Sequence, residues 1–148
     1  MSDAAPNATF ATFGWPGSRV AETDHWGVML RPAQPTLGAL VVAFKGDATA
    51  FGAIGAPAFA EFGEVVAATE AMLRSAIGYE KINWLMLMMV DPHVHFHVLP
   101  RYPGAKALKG IEVTDAGWPG PPALASAVTP DEAQRAALLS RLSAAWPL

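Results

Sequence analysis

The chain has 148 residues, 52% hydrophobic and 16% charged, with a formal net charge of −3 and no cysteine. These values fit one domain with a sizeable core and exclude a disordered chain, a coiled coil, a disulfide framework and thiol chemistry. An acidic balance without a run of Lys or Arg argues against nucleic acid as a partner, whereas the high apolar share points to a homodimer interface.

Residues 1–18 contain Ala, Pro and Gly without a clear period and are expected to form an arm, with Phe10, Phe13 and Trp15 packing on a neighbour. The first basic residue is Arg19, and no charged start leads into an apolar run, so no signal peptide is expected. Arg19–Thr23 and Trp26–Leu30 are candidate strands, and His25 between them is a structural or solvent-exposed turn residue. Arg31-Pro32-Ala33-Gln34-Pro35-Thr36 is a connection, because two prolines deny ladder donors. Leu37–Phe44 follows as a buried strand, and Phe51 to Ile54 as a short helical turn. Pro57 to Ile77 is the long helix, with a core-facing stripe at Phe59, Phe62, Val66, Leu73 and Ile77.

Lys81–Met89 is apolar on both faces, which predicts a central strand covered on both sides. Asp91-Pro92 then turns the chain into the next strand, so the two form a hairpin. The segment from Tyr102 to Val128 is rich in Gly and Pro and is expected to be a long loop, a lid or a subunit-spanning arm. Thr129-Pro130-Asp131-Glu132 has the pattern of a helix start, and the helix runs from Ala133 to Trp146. The expected organisation is an arm over 1–18, a core over 19–102, and a loop and helix over 103–148 packed on that core. The longest apolar runs, around Leu37–Phe44 and Ile82–Val90, are too short to cross a bilayer, and a cytoplasmic protein is expected.

Three of the four histidines fall at His93, His95 and His97, with Val94, Phe96 and Val98 at the alternate positions. A period of two predicts a strand with the imidazoles on one face, roughly 6.5–7 Å apart. A row of imidazoles suits neither a core nor an ordinary surface. Two chemical readings remain open. One is a metal site, in which case a further ligand must come from elsewhere, since the outer histidines stand about 13 Å apart. The other is nucleophilic and acid/base work on an extended anion, with the central ring attacking and its neighbours binding phosphate oxygens. Asn83 faces the histidines or turns away from them according to the hairpin register, and Arg101, Lys106 and Lys109 add positive charge just after them.

The run His93-Val94-His95-Phe96-His97-Val98-Leu99, followed by Pro100-Arg101, resembles the signature of the histidine triad (HIT) superfamily of nucleotide hydrolases and transferases. A weaker likeness extends from about Arg19 to Tyr102. The resemblance implies an α+β, HIT-like fold: an antiparallel sheet of about five strands, a long helix packed on it and a C-terminal helix, usually paired as a homodimer. It implies that His95 attacks the α-phosphate of a nucleotide conjugate, such as a dinucleoside polyphosphate or a nucleoside phosphoramidate. A covalent nucleotidyl-histidine would form, and water or an acceptor would resolve it. His97 and His93 would bind phosphate oxygens and help the leaving group. Asn83 and Arg101 would contact the substrate, and neither metal nor cofactor is required. The chain departs from the family at three places. Leu87 to Pro92 replaces a Gly-rich, Gln-containing turn, Ala39 stands near an expected histidine, and Arg31 stands where a ribose-binding acidic residue is often found. These departures motivate a second reading as a nucleotide-binding regulatory module with little turnover; a metalloprotein using the three histidines is a third.

Overall fold

The computed structural model describes residues 3–148. Five strands build an antiparallel sheet: β1 (Arg19–Glu22), β2 (Trp26–Leu30), β3 (Leu40–Phe44), β4 (Lys81–Leu85) and β5 (His95–Arg101). Their order in space is β1-β2-β3-β5-β4. A long helix, α2 (Ala56–Ala76), and a C-terminal helix, α3 (Glu132–Ala145), complete the expected α+β architecture around the main core.

Alternation along the strands sorts the side chains onto two faces. Trp26, Val28, Leu30, Leu40, Val42, Phe96 and Val98 belong to the core shared with α2 and α3. The Trp26 indole donates to the Ala58 carbonyl at 2.9 Å and ties the start of α2 to the sheet. The buried face of α2 runs through Ala58, Val65, Ala68, Thr69, Met72, Leu73 and Ala76; it includes Leu73 of the predicted stripe but otherwise lies about one residue away from it. Phe59 is therefore 41% exposed, while Phe62 stacks on Phe96. The small alanines let the helix approach the sheet closely, which a stripe of large residues would prevent.

The opposite face carries Met29, Val41 and Ala43, and here the N-terminal segment packs on its own sheet. Asn7 caps a one-turn helix, α1 (Ala8–Thr12), by accepting from the Thr9 and Phe10 amides. Its amide nitrogen also donates to the Phe44 and Gly46 carbonyls. Phe10 is fully buried beside Trp15. Gly27 permits this contact, since a Cβ there would run into the Phe10 ring.

Four expectations about the chain's second half are corrected. β4 is an edge strand rather than a central one, because β5 lies between it and β3. It ends at Leu85, so a loop over residues 86–94 replaces the tight turn. Tyr102–Val128 is not structureless: β6 (Ala105–Leu108) and β7 (Ile111–Thr114) form a hairpin through Lys109 and Gly110, both at positive φ. Helix α3 starts two residues later than Pro130, with Asp131 and Gln134 forming a reciprocal capping box.

Candidate active site

The pairing of β4 with β5 fixes which side chains share the histidine face. Leu85 lies opposite His97, Asn83 opposite Leu99, and Lys81 opposite Arg101. On the other side His97 pairs with Val41 and His95 with Ala43. His95, His97 and Asn83 therefore share one face of the sheet.

His95 is 2% exposed, yet it lines a cavity of about 270 Å³ together with His97, Phe13, Arg31 and the loop residues Leu87 to Asp91. Its Nδ1 stands 2.7 Å from the His93 carbonyl. A carbonyl can only accept, so Nδ1 carries a proton, and in the neutral ring it is Nε2 that keeps the lone pair. That is the tautomer a ring nucleophile needs.

His97 stands beside it, with ring centroids 5.3 Å apart. Its Nδ1 is buried without a hydrogen-bond partner among the described residues. Burial lowers its pKa to about 4, the positive Arg31 and the neighbouring His95 push the same way, and Asp91 opposes them. His97 is therefore neutral at physiological pH.

His93 departs from the predicted row. It precedes β5, and its ring does not line the cavity; its Nδ1 lies 3.2 Å from the Thr9 hydroxyl on α1. The expected ladder of three imidazoles is thus a pair, to which His93 contributes its carbonyl. Among the described residues no group of three or more His, Cys, Asp or Glu side chains is placed to hold a metal ion.

Asn83 and Arg101 line a separate cleft of about 640 Å³ with Trp118 and Pro119. The Arg101 guanidinium is buried, and four of its five N–H donors are engaged. Nε and Nη2 donate to the two Asp115 carboxylate oxygens at 2.7 and 3.0 Å, Nη2 also reaches the Gly120 carbonyl, and Nη1 donates to Asn83 Oδ1 at 2.7 Å. Burial favours protonation of Asp115, but the Arg101 and Tyr102 hydrogen bonds outweigh it and hold the carboxyl below its ordinary pKa. Expected as a substrate contact, Arg101 is placed as an internal anchor.

Sequence reasoning missed Phe13 and Leu124 as cavity residues, and it noted Arg31 only as standing in place of an acidic residue. The Phe13 ring lies 5.9 Å from His95 and 5.7 Å from His97 and walls both imidazoles. Nothing in an aperiodic segment marks one Phe as a wall residue. Arg31 was visible as a cation at the end of β2, but its orientation depends on the strand register.

No family model matches the chain, and no curated protein matches it. Solved structures do share its shape. A histidine triad protein from Sinorhizobium meliloti is 19% identical, with 94% of each chain covered and a TM-score of 0.75. One from Bradyrhizobium japonicum is 15% identical, covering 95% of this chain and 96% of that one, with a TM-score of 0.74. A hypothetical histidine triad nucleotide-binding protein from Sulfolobus tokodaii is 16% identical over 93% and 88%, with a TM-score of 0.66. The chain has the fold of histidine triad proteins.

Proposed function

We propose that this chain is a histidine triad hydrolase or nucleotidyltransferase acting on the α-phosphate of a nucleotide conjugate. The observation that carries the reading is the 2.7 Å contact between His95 Nδ1 and the His93 carbonyl, which makes Nε2 the lone-pair nitrogen of the neutral form of a cavity-lining ring. His95 Nε2 forms a bond to phosphorus as the bond to the leaving group breaks. The imidazolium so created keeps its Nδ1 proton on the His93 carbonyl, which stabilises the positive charge. Neutral His97 offers its ring N–H to a phosphate oxygen. Water then attacks phosphorus and gives up a proton to the departed leaving group or to solvent as the His95–phosphorus bond breaks and the neutral ring returns; an acceptor hydroxyl in place of water gives transfer. The protein works in the cytoplasm as a homodimer, and Asn83, held by Arg101, lies on the same sheet face as the two imidazoles, in the neighbouring cleft.

The test is a panel of nucleoside phosphoramidates and dinucleoside polyphosphates, quenched and analysed by mass spectrometry. Wild-type protein should carry a nucleotidyl group on His95. His95→Ala should fold, lose the adduct and lose turnover by about 10³-fold or more. Full turnover in that variant would remove His95 as nucleophile.

A further inference from the structure

Arg31 is a cation in the wall of the histidine cavity, and among the described residues no acidic side chain forms an ion pair with it. It leaves the end of β2 on the histidine face. Met29 pairs with Val41, Val41 pairs with His97, and the Arg31 amide donates to Ala39 one row further on. That row lies roughly 6.5–7 Å beyond His97 along the sheet. Among the described residues no carboxylate comes within 4 Å of its guanidinium. Nη1 donates to the Ala33 carbonyl at 2.6 Å, while Nε is buried without a partner. Asp91 also lines the cavity without pairing with Arg31.

The backbone beneath Arg31 is fixed. Gln34 is fully buried and donates to the Arg31 carbonyl at 2.6 Å and to the Ala39 carbonyl at 3.0 Å. Its oxygen accepts from the Gly38 and Ala39 amides. Burial pulls the Arg31 pKa down, yet a guanidinium keeps its proton. Holding such a charge half-buried beside two imidazoles is costly unless something anionic occupies the cavity. A purely structural Arg31, serving only the Ala33 carbonyl, would not need to face His95 and His97.

We propose that Arg31 binds a second phosphate group of the substrate, on the His97 side of the phosphate held between His95 and His97, so that the site selects ligands bearing two phosphates. The proposal rests on the reading of His95 and His97 as the binding place of the first phosphate. A phosphate there leaves a second one within reach of Arg31, and a guanidinium can meet it with paired N–H donors.

Calorimetric titration of the full chain tests this without requiring turnover. AMP is compared with ADP, whose second phosphate is on the leaving-group side, and with adenosine 3′,5′-bisphosphate, whose second phosphate is on the ribose. Wild-type protein should bind at least one two-phosphate ligand about tenfold more tightly than AMP. Arg31→Gln keeps a donor for the Ala33 carbonyl but loses the charge, and the ratio should collapse to about one. Arg31→Lys should retain part of the ratio and confirms the role of charge should the Gln variant not fold. A structural role would weaken all ligands in parallel and leave the ratio intact, which would overturn the proposal. So would a wild-type protein that shows no preference in either arm or binds none of the three. A preference abolished in Arg31→Gln with no His95 adduct would keep the anion site and reject the hydrolase; an adduct without preference would do the reverse.

Discussion

His97 is kept neutral by its surroundings, and this gives the site a pH dependence. Its pKa is about 4 in the folded chain against an ordinary 6.5, with burial as the leading cause. Between those values the unfolded chain binds more protons than the folded one, so stability rises with pH through the window and falls as pH drops toward 4. NMR titration of the His97 ring should show a midpoint well below that of a free imidazole. The pH slope of thermal stability over the same window should flatten in His97→Phe, whereas a His97 midpoint near the ordinary value would reject the desolvation argument. An anion bound beside the ring favours its protonated form, so AMP should move that midpoint upward. Arg101 sets a second expectation at this scale. Its side chain and that of Asp115 are almost fully buried, so Arg101→Ala leaves an unpaired carboxylate and should cost about 3–5 kcal/mol in denaturant unfolding. Arg101→Lys should rescue little, because a lysine cannot replace the two-pronged contact. Loss of activity at unchanged stability would instead make Arg101 a substrate contact. The histidine spacing and the identity of the central ring were readable in the sequence. The separation of His93 from the row was not, because the strand begins only at His95, and its partner Thr9 lies far away in the chain.

At the level of elements, α1 connects the N-terminal segment to the chemistry. One turn of helix supplies Phe10 to the core, Thr9 to His93 and, just beyond its end, Phe13 to the imidazole pair. Gly27→Ala places a methyl group against the Phe10 ring, which is buried and has nowhere to swing. The expected cost is about 1–3 kcal/mol, as for other overpacked cores. If α1 lifts from the sheet as a result, hydrogen exchange should speed up over residues 8–13, and turnover should fall although no residue of the β5 pair has changed. Unaltered exchange there would show that the sheet, not α1, absorbs the strain. The strands β2 and β3 and the long helix were legible because their apolar runs are long or bounded by prolines. The helix α1 was not, because five residues carry no period and its burial depends on a glycine in a strand elsewhere. The β6–β7 hairpin was hidden for a related reason: its turn is Lys109-Gly110, and lysine is not a residue that announces a left-handed conformation. The central placement of β4 failed because apolar residues on both faces do not ensure burial: every residue of β4 keeps some exposure at the sheet edge.

For the molecule as a whole, the edge at β4 and the loop after it leave apolar surface uncovered. Leu87 is 48% exposed, Met89 87% and Val90 91%, and all three also line the mouth of the histidine cavity. The far edge of the sheet is different: α3 lies against β1, and Ser143 donates to the Val20 carbonyl at 3.0 Å. An open strand edge next to protruding apolar side chains invites pairing with a second copy. The chain should therefore run as a dimer in light scattering after size exclusion. Met89→Glu with Val90→Glu should shift it to monomer by placing charge where the contact forms. Because the same loop walls the cavity, the monomeric variant should also turn over substrate more slowly, and wild-type specific activity should fall on dilution below the dimer's dissociation constant. A wild-type chain that stays monomeric at high concentration, with activity independent of dilution, would mean that this apolar loop closes over its own cavity instead of a partner's.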